Sequence, residues 1–115
     1  MRRFAAAFVA LAVLVPAVAM AHAPADVTVA LSEDGKVLKV AVAHDNGGAA
    51  DHFVKAVKVM AGDKVLGEMT FDKQSTKEAQ EFELALNEPL AKPVVLKVVA
   101  ECSKEGKLEK DVEVK

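Results

Sequence analysis

The sequence predicts an all-β protein, specifically an immunoglobulin-like antiparallel β-sandwich of about seven short strands. Two observations support this fold class. Apolar and polar residues alternate in short segments after residue 22, and turn-forming residues separate these segments at intervals of about 8 to 12 positions. Two-residue alternation indicates strands with one buried face, and frequent turns indicate antiparallel neighbours. Residues 22–115 are sufficient for one domain with one modest core.

The first three predicted strands are 26–31, 37–44 and 52–60, and each has a local justification. The alternating apolar residues of the first two are Val27, Val29 and Leu31, then Leu38, Val40, Val42 and His44. Asp34-Gly35 between them predicts a tight hairpin turn. Gly47-Gly48 then indicates a flexible loop before the third strand.

The remaining predicted strands are 64–71, 78–86, 93–102 and 107–114. "AGD" at 61–63 predicts a second hairpin. The segment "STKEAQEFELALNE" also has a feature of a helix, because Ser75 or Thr76 followed by Glu78 fits a helix start. The alternation of Phe82, Leu84 and Leu86 favours a strand there instead. The sixth strand has one apolar face, formed by Val94, Leu96, Val98, Ala100 and Cys102.

The first 21 residues have the composition of a secretory leader. Arg2 and Arg3 precede an apolar run, and Ala19-Met20-Ala21 supplies the small residues of a cleavage site. We expect cleavage before His22, which makes 1–21 a signal peptide and 22–115 the mature, periplasmic or otherwise exported, domain. The apolar run is short for a bilayer span, so no membrane attachment is expected after cleavage.

Composition excludes some functions. The 15 basic residues include Arg2 and Arg3, so the mature chain has 13 Lys against 17 acidic residues, a net charge of about −4. Trp and Tyr are absent and no basic patch is visible, so no nucleic-acid partner is expected. The single cysteine excludes an internal disulfide, although an exported protein commonly relies on one.

Four residues are candidate metal ligands: His22, His44, His52 and Cys102. His44 ends one predicted strand, His52 begins the next, and Cys102 ends another, so the three can meet at one end of a sandwich. Imidazoles with a thiolate suit iron, zinc or copper better than magnesium or calcium. The same residues also fit a plain interpretation, with a small buried cysteine and two polar loop histidines. Spacing alone leaves both interpretations open.

Two stretches, "HDNGGAADHFVKAVKVMAGDKV" and "VVAECSKEG", resemble the iron domain of the desulfoferrodoxin and superoxide reductase family. His22-Ala23-Pro24 resembles the family's early His-x-Pro motif. His44 and His52, the latter followed by Phe and Val, resemble its histidine pair. Cys102 resembles its axial cysteine, and Gly106 falls near the glycine of the family's Cys-Asn-x-His-Gly motif. The resemblance covers essentially all of 22–115.

The resemblance implies an immunoglobulin-like sandwich holding one non-haem iron through four planar histidines and an axial thiolate. It implies superoxide as substrate and an electron-donor protein as partner. Glu105 stands where the family has its last histidine, and Ser103 where it has asparagine. The implied ligands are therefore His22, His44, His52, Cys102 and Glu105. A carboxylate is a harder, more anionic donor than imidazole and favours ferric iron.

The expected function is an exported iron-binding redox protein with a diverged superoxide-reductase-like site, and enzymatic activity is left open. One alternative is a periplasmic copper-binding carrier that uses the amine and ring of an N-terminal His22, with copper or zinc replacing iron. Another is an immunoglobulin-like interaction module without metal. A lone thiol at Cys102 also admits a homodimer linked by an intermolecular disulfide.

Overall fold

The computed structural model describes residues 23–104 and 106–115. Within these ranges the chain forms seven strands and no helix, so the predicted all-β fold is confirmed. The segment after Glu78 forms a strand, as its alternation predicts. The strands are β1 (Asp26–Leu31), β2 (Val37–Ala43), β3 (Val54–Ala61), β4 (Lys64–Thr70), β5 (Ala79–Ala85), β6 (Val94–Cys102) and β7 (Lys107–Val114). The predicted signal peptide, 1–21, lies outside the described residues. The part of the chain that is described contains no helix long and apolar enough to cross a membrane.

The strands form two antiparallel sheets, one with the order β1-β2-β5 and the other with the order β4-β3-β6-β7. In the constant-type immunoglobulin arrangement the fourth strand lies in the same sheet as the fifth. Here β4 pairs with β3 in the other sheet. The sheets also meet at one side, where Lys110 of β7 binds the carboxylate of Asp26 in β1. This hydrogen bond to Lys110 holds the pKa of Asp26 below its usual value.

The core between the sheets is almost entirely aliphatic, and valine predominates. β-branched side chains pack well on a pleated surface and are stiff there, which suits a thin sandwich. The buried cluster consists of Val27, Leu38, Val40, Val42, Val54, Val57, Val59, Leu84, Leu96, Val98, Ala100 and Val114. The interior is therefore apolar up to the end of the sandwich at which His44 and Cys102 lie.

A β-bulge at the start of β3 determines which residues face this interior. The register of β3 on β6 shifts after Val54, which pairs with Cys102, so that Lys55 is an extra residue. Because of this residue, Val54 and Val57 are both fully buried although they are three positions apart. If the side chains of β3 alternated strictly between its two faces, Lys55 would face the interior together with Val57. The bulge therefore sets an apolar residue beside Cys102.

The hairpin between β1 and β2 supplies a test of the packing. Gly35 has a φ of 76°, and a Cβ there would lie 2.8 Å from the carbonyl oxygen of Leu90. Gly62 has a φ of 61°, but a Cβ there would meet nothing within 4 Å. Both Gly35→Ala and Gly62→Ala should lose about 1–2 kcal/mol of stability for the left-handed backbone. Gly35→Ala should lose about 1–3 kcal/mol more of stability than Gly62→Ala, because the backbone at Leu90 must move to make room for the added Cβ.

Denaturant unfolding of the two variants measures this difference. Gly62→Ala is the matched control, since it changes the same residue type at a similar φ. Equal losses in the two variants would contradict the close contact between the β1–β2 hairpin and Leu90.

Candidate metal centre

Three of the five sequence-predicted ligand residues meet at one end of the sandwich. His44, His52 and Cys102 are 1%, 6% and 3% exposed. One ligand atom from each, an imidazole nitrogen or the sulfur, lies within 4.8 Å of the others. The other two predicted ligands, His22 and Glu105, lie outside the described residues.

His44 follows the last residue of β2 and continues the inward-facing alternation of Leu38, Val40 and Val42. Its backbone N–H donates to the carbonyl of Glu78 at 2.9 Å, which extends the pairing of β2 with β5 by one residue. Its ring nitrogen Nδ1 lies 2.7 Å from Oε1 of Gln74. Both the backbone and the ring of His44 are therefore held by the segment that connects β4 to β5.

His52 is held beside His44 by the loop that connects β2 to β3. The side-chain amide of Asn46 donates to the carbonyl oxygen of His52 at 2.7 Å, and its own oxygen accepts the backbone N–H of Gly48 at 2.8 Å. The loop is thereby closed on itself. The two imidazole rings meet edge to face, with centroids 4.6 Å apart and an interplanar angle of 88°.

Cys102 ends β6 and is followed by a tight turn. Its backbone N–H donates to the carbonyl of Gly106 at 3.0 Å. The backbone N–H of Lys104 points at the sulfur, with a nitrogen-to-sulfur distance of 3.5 Å. Gly106 has a φ of 92°, and a Cβ there would lie 3.1 Å from Cβ of Ala23, so the N-terminal segment packs on this turn.

Ser103 ties the turn after Cys102 to both sides of His52. Its hydroxyl oxygen accepts the backbone N–H of Phe53 at 3.0 Å and donates to the carbonyl of Asp51 at 3.1 Å. Its backbone N–H donates to the carbonyl of Phe53 at 2.8 Å. These three bonds fix the separation of the His52 and Cys102 backbones.

Charged side chains of both signs lie on the surface beside Cys102. A depression of about 260 Å³ there is lined by Lys55, Glu101, Cys102, Lys104, Gly106 and Lys107. One of its three lysines, Lys104, also forms an ion pair with Asp51 at 2.8 Å, which holds the pKa of that carboxyl below its usual value. Lys107 forms an ion pair with Glu109 at 3.4 Å. The three ammonium groups are therefore largely balanced by the carboxylates of Glu101, Asp51 and Glu109.

The three described donors fit one metal ion. Two donors on opposite sides of an ion, with bonds of about 2.1 Å to nitrogen and 2.3 Å to sulfur, lie about 4.4 Å apart. The ligand atoms of His44, His52 and Cys102 all lie within 4.8 Å of one another, which is close to that separation. Two imidazoles and a thiolate suit iron, zinc or copper. Their burial at the end of an aliphatic core also restricts the access of water to the site.

Gln74 belongs to the site but was missed by sequence reasoning. It lies in a polar stretch, "FDKQSTK", between two strands, and nothing in that stretch marks it. Its partner His44 is thirty positions earlier in the chain. Only the crossing of the β4–β5 connection from one sheet to the other brings them together.

Comparison with solved structures places this fold in a known class: the protein has a superoxide-reductase-like fold. A reduced variant of the superoxide reductase (neelaredoxin) from Archaeoglobus fulgidus superimposes with a TM-score of 0.51 and 16% sequence identity, over 83% of this chain and 89% of that chain. The superoxide reductase (neelaredoxin) from Ignicoccus hospitalis gives a TM-score of 0.48 and 19% identity over 80% of each chain. No family model and no curated protein sequence matches the chain. The sequence resemblance is therefore supported at the level of a distant common fold.

The bridge formed by Ser103 generates a prediction. Ser103→Ala leaves the N–H of Phe53 and the carbonyl of Asp51 without their side-chain partner, which should cost about 1–3 kcal/mol of stability. The Phe53 amide should exchange its proton faster and change its chemical shift. Both quantities are measured by NMR, alongside denaturant unfolding.

Ser32→Ala is the matched control for this measurement. Ser32 accepts the N–H of Val37 at 3.0 Å in the β1–β2 hairpin, at the opposite end of β2 from His44. That variant should perturb the Val37 amide and leave the chemical shift of Phe53 unchanged. An unperturbed Phe53 amide in Ser103→Ala would contradict the bridge.

Proposed function

We propose that the protein is an exported iron-binding redox protein that holds one mononuclear iron through His44, His52 and Cys102. The observation that carries the proposal is the buried group of two imidazoles and one sulfur, whose ligand atoms lie within 4.8 Å of one another. The superoxide-reductase-like fold supports it. Export is proposed on the leader-like sequence of residues 1–21.

A metal site explains this cluster better than core packing does. A cysteine alone is a common small core residue, but two imidazoles at 1% and 6% exposure add polar groups where the neighbouring positions are aliphatic. A shared ion would bind one donor atom from each of the three residues at once. A metal would also join β2, β3 and β6 at the end where the chain has no disulfide.

The residues around the cluster suit a redox ion. Iron bound here would supply a one-electron couple, with the thiolate as its most electron-rich donor. The backbone N–H of Lys104 is a hydrogen-bond donor to the sulfur. Lys55 lines the depression beside the sulfur, where its ammonium group is a candidate contact for a small anion such as superoxide. We propose superoxide as the substrate class and an electron-donor protein as the partner.

His22 and Glu105 are proposed as additional ligands. Ala23, which follows His22, packs against Gly106, which follows Glu105. Each proposed ligand is thus next in sequence to one of two described residues, Ala23 and Gly106, that pack together close to Cys102. An α-amino group created at His22 by cleavage would add another nitrogen donor.

The metal proposal predicts the content and colour of the purified protein. Protein isolated from the exported fraction should contain about one iron per chain by elemental analysis, and the oxidised form should show a visible thiolate-to-iron charge-transfer band. Cys102→Ala should abolish the band. Val98→Ala is the control: it truncates another buried residue on the same face of β6 and should lose stability while retaining iron and band.

Two other outcomes have defined meanings. Copper or zinc in place of iron would overturn the identity of the metal and favour the carrier alternative. Protein without any metal, in both the wild type and Val98→Ala, would overturn the proposal and favour an interaction module.

The additional ligands are tested by substitution at each position. His22→Ala and Glu105→Gln should each weaken iron binding by at least about 10-fold, measured by competition with a chelator. Glu113→Gln, which removes an exposed carboxylate from β7, should leave affinity unchanged. Mass spectrometry of the exported protein should show His22 as the first residue. Unchanged affinity in either ligand variant would remove that residue from the set.

A further inference from the structure

We infer that Gln74 is a positioning residue: it fixes the imidazole tautomer of His44 and so selects Nε2 as the metal-binding nitrogen. This inference rests on the proposed metal function of His44, but the tautomer itself is a property of the metal-free protein. Gln74 lies in the connection between β4 and β5, and its side-chain amide contacts both the backbone and the ring of His44.

The backbone around Gln74 fixes which way its amide points. Its nitrogen donates to the carbonyl of His44 at 2.6 Å and to the carbonyl of Thr76 at 2.9 Å. Its oxygen accepts the N–H of Val54 at 3.2 Å. A reversed amide would set an oxygen against two carbonyls and an NH₂ against an N–H, so all three bonds would be lost. Only one orientation satisfies these backbone groups.

This orientation determines the proton position on the ring of His44. The oxygen of Gln74 lies 2.7 Å from Nδ1, and an amide oxygen can only accept a hydrogen bond. Nδ1 therefore carries the proton. A neutral imidazole has one N–H, so Nε2 holds the lone pair that a metal requires. Outer partners of this kind orient ligating histidines and raise their affinity.

The same contacts orient the ring before any ion arrives. Gln74 contacts both the backbone carbonyl and the ring nitrogen Nδ1 of His44. Rotation of the His44 side chain would break the contact with the ring, and the contact with the carbonyl would remain. Two further backbone bonds, from His44 to Glu78 and from Asn46 to Lys77, each 2.9 Å, hold the connecting segment against this end of β2. A ligand fixed in this way loses little freedom on binding metal.

The test compares Gln74 with Gln80, the second residue of β5. Gln80 is 5% exposed, accepts the N–H of Ser75 at 3.0 Å and donates to the carbonyl of Glu81 at 3.4 Å, with no bond to a histidine. Gln74→Met and Gln80→Met should both lose stability. Nitrogen-detected NMR of metal-free wild type and Gln80→Met should show the His44 proton on Nδ1. In Gln74→Met the proton should move partly or wholly to Nε2.

Metal affinity provides the second measurement. Titration with ferrous iron should show about 10- to 100-fold weaker binding in Gln74→Met than in Gln80→Met. Gln74→Glu keeps an oxygen acceptor for Nδ1–H but cannot donate to the two carbonyls. It should therefore keep the wild-type tautomer, and it provides a readout if Gln74→Met does not fold.

The outcomes separate the two proposals. A wild-type His44 protonated on Nε2, or a tautomer that is unchanged in Gln74→Met, would overturn the positioning role. Equal affinity losses in Gln74→Met and Gln80→Met would also overturn it. If the wild type has the Nδ1 tautomer and Gln74→Met loses it, but neither binds metal, the positioning role stands and the metal function fails.

Discussion

The β-bulge at Lys55 is the constraint on which the arrangement of the site depends. A strand of regular alternation cannot bury both Val54 and Val57, and the extra residue permits it. It also pairs Val54 with Cys102, so that the start of β3 and the end of β6 lie side by side. His52 is two positions before Val54, and its closeness to the cysteine follows from that register.

Each described ligand is braced by one polar side chain from a loop. Gln74 holds His44, Asn46 holds the carbonyl of His52, and Ser103 joins the flanks of His52 to the turn after Cys102. All three braces bond to backbone groups, whose directions are fixed by the strands. This end of the sandwich is therefore ordered by hydrogen bonds, whereas the rest of the interior is ordered by aliphatic packing. The position of the ligands does not require the ion itself.

Lysines from several elements of the fold gather beside Cys102. The chain is acidic overall, yet Lys55, Lys104 and Lys107 lie together beside the cysteine. Lysines on different strands and turns reach one depression because β3, β6 and β7 are adjacent in one sheet. Two of these ammonium groups are paired with carboxylates, Lys104 with Asp51 and Lys107 with Glu109, so the lysines add little net positive charge to this surface.

The sequence by itself determined the strands, because alternation and turn residues act within a few positions of the chain. The inward-facing parities of β2 and β6 placed His44 and Cys102 on buried faces without knowledge of their neighbours. Only the tertiary structure decided the transfer of β4 to the second sheet, the bulge at Lys55 and the contact between Gln74 and His44. Strand pairing and side-chain contacts of this kind join residues that are tens of positions apart, and local patterning carries no information about which distant groups will meet.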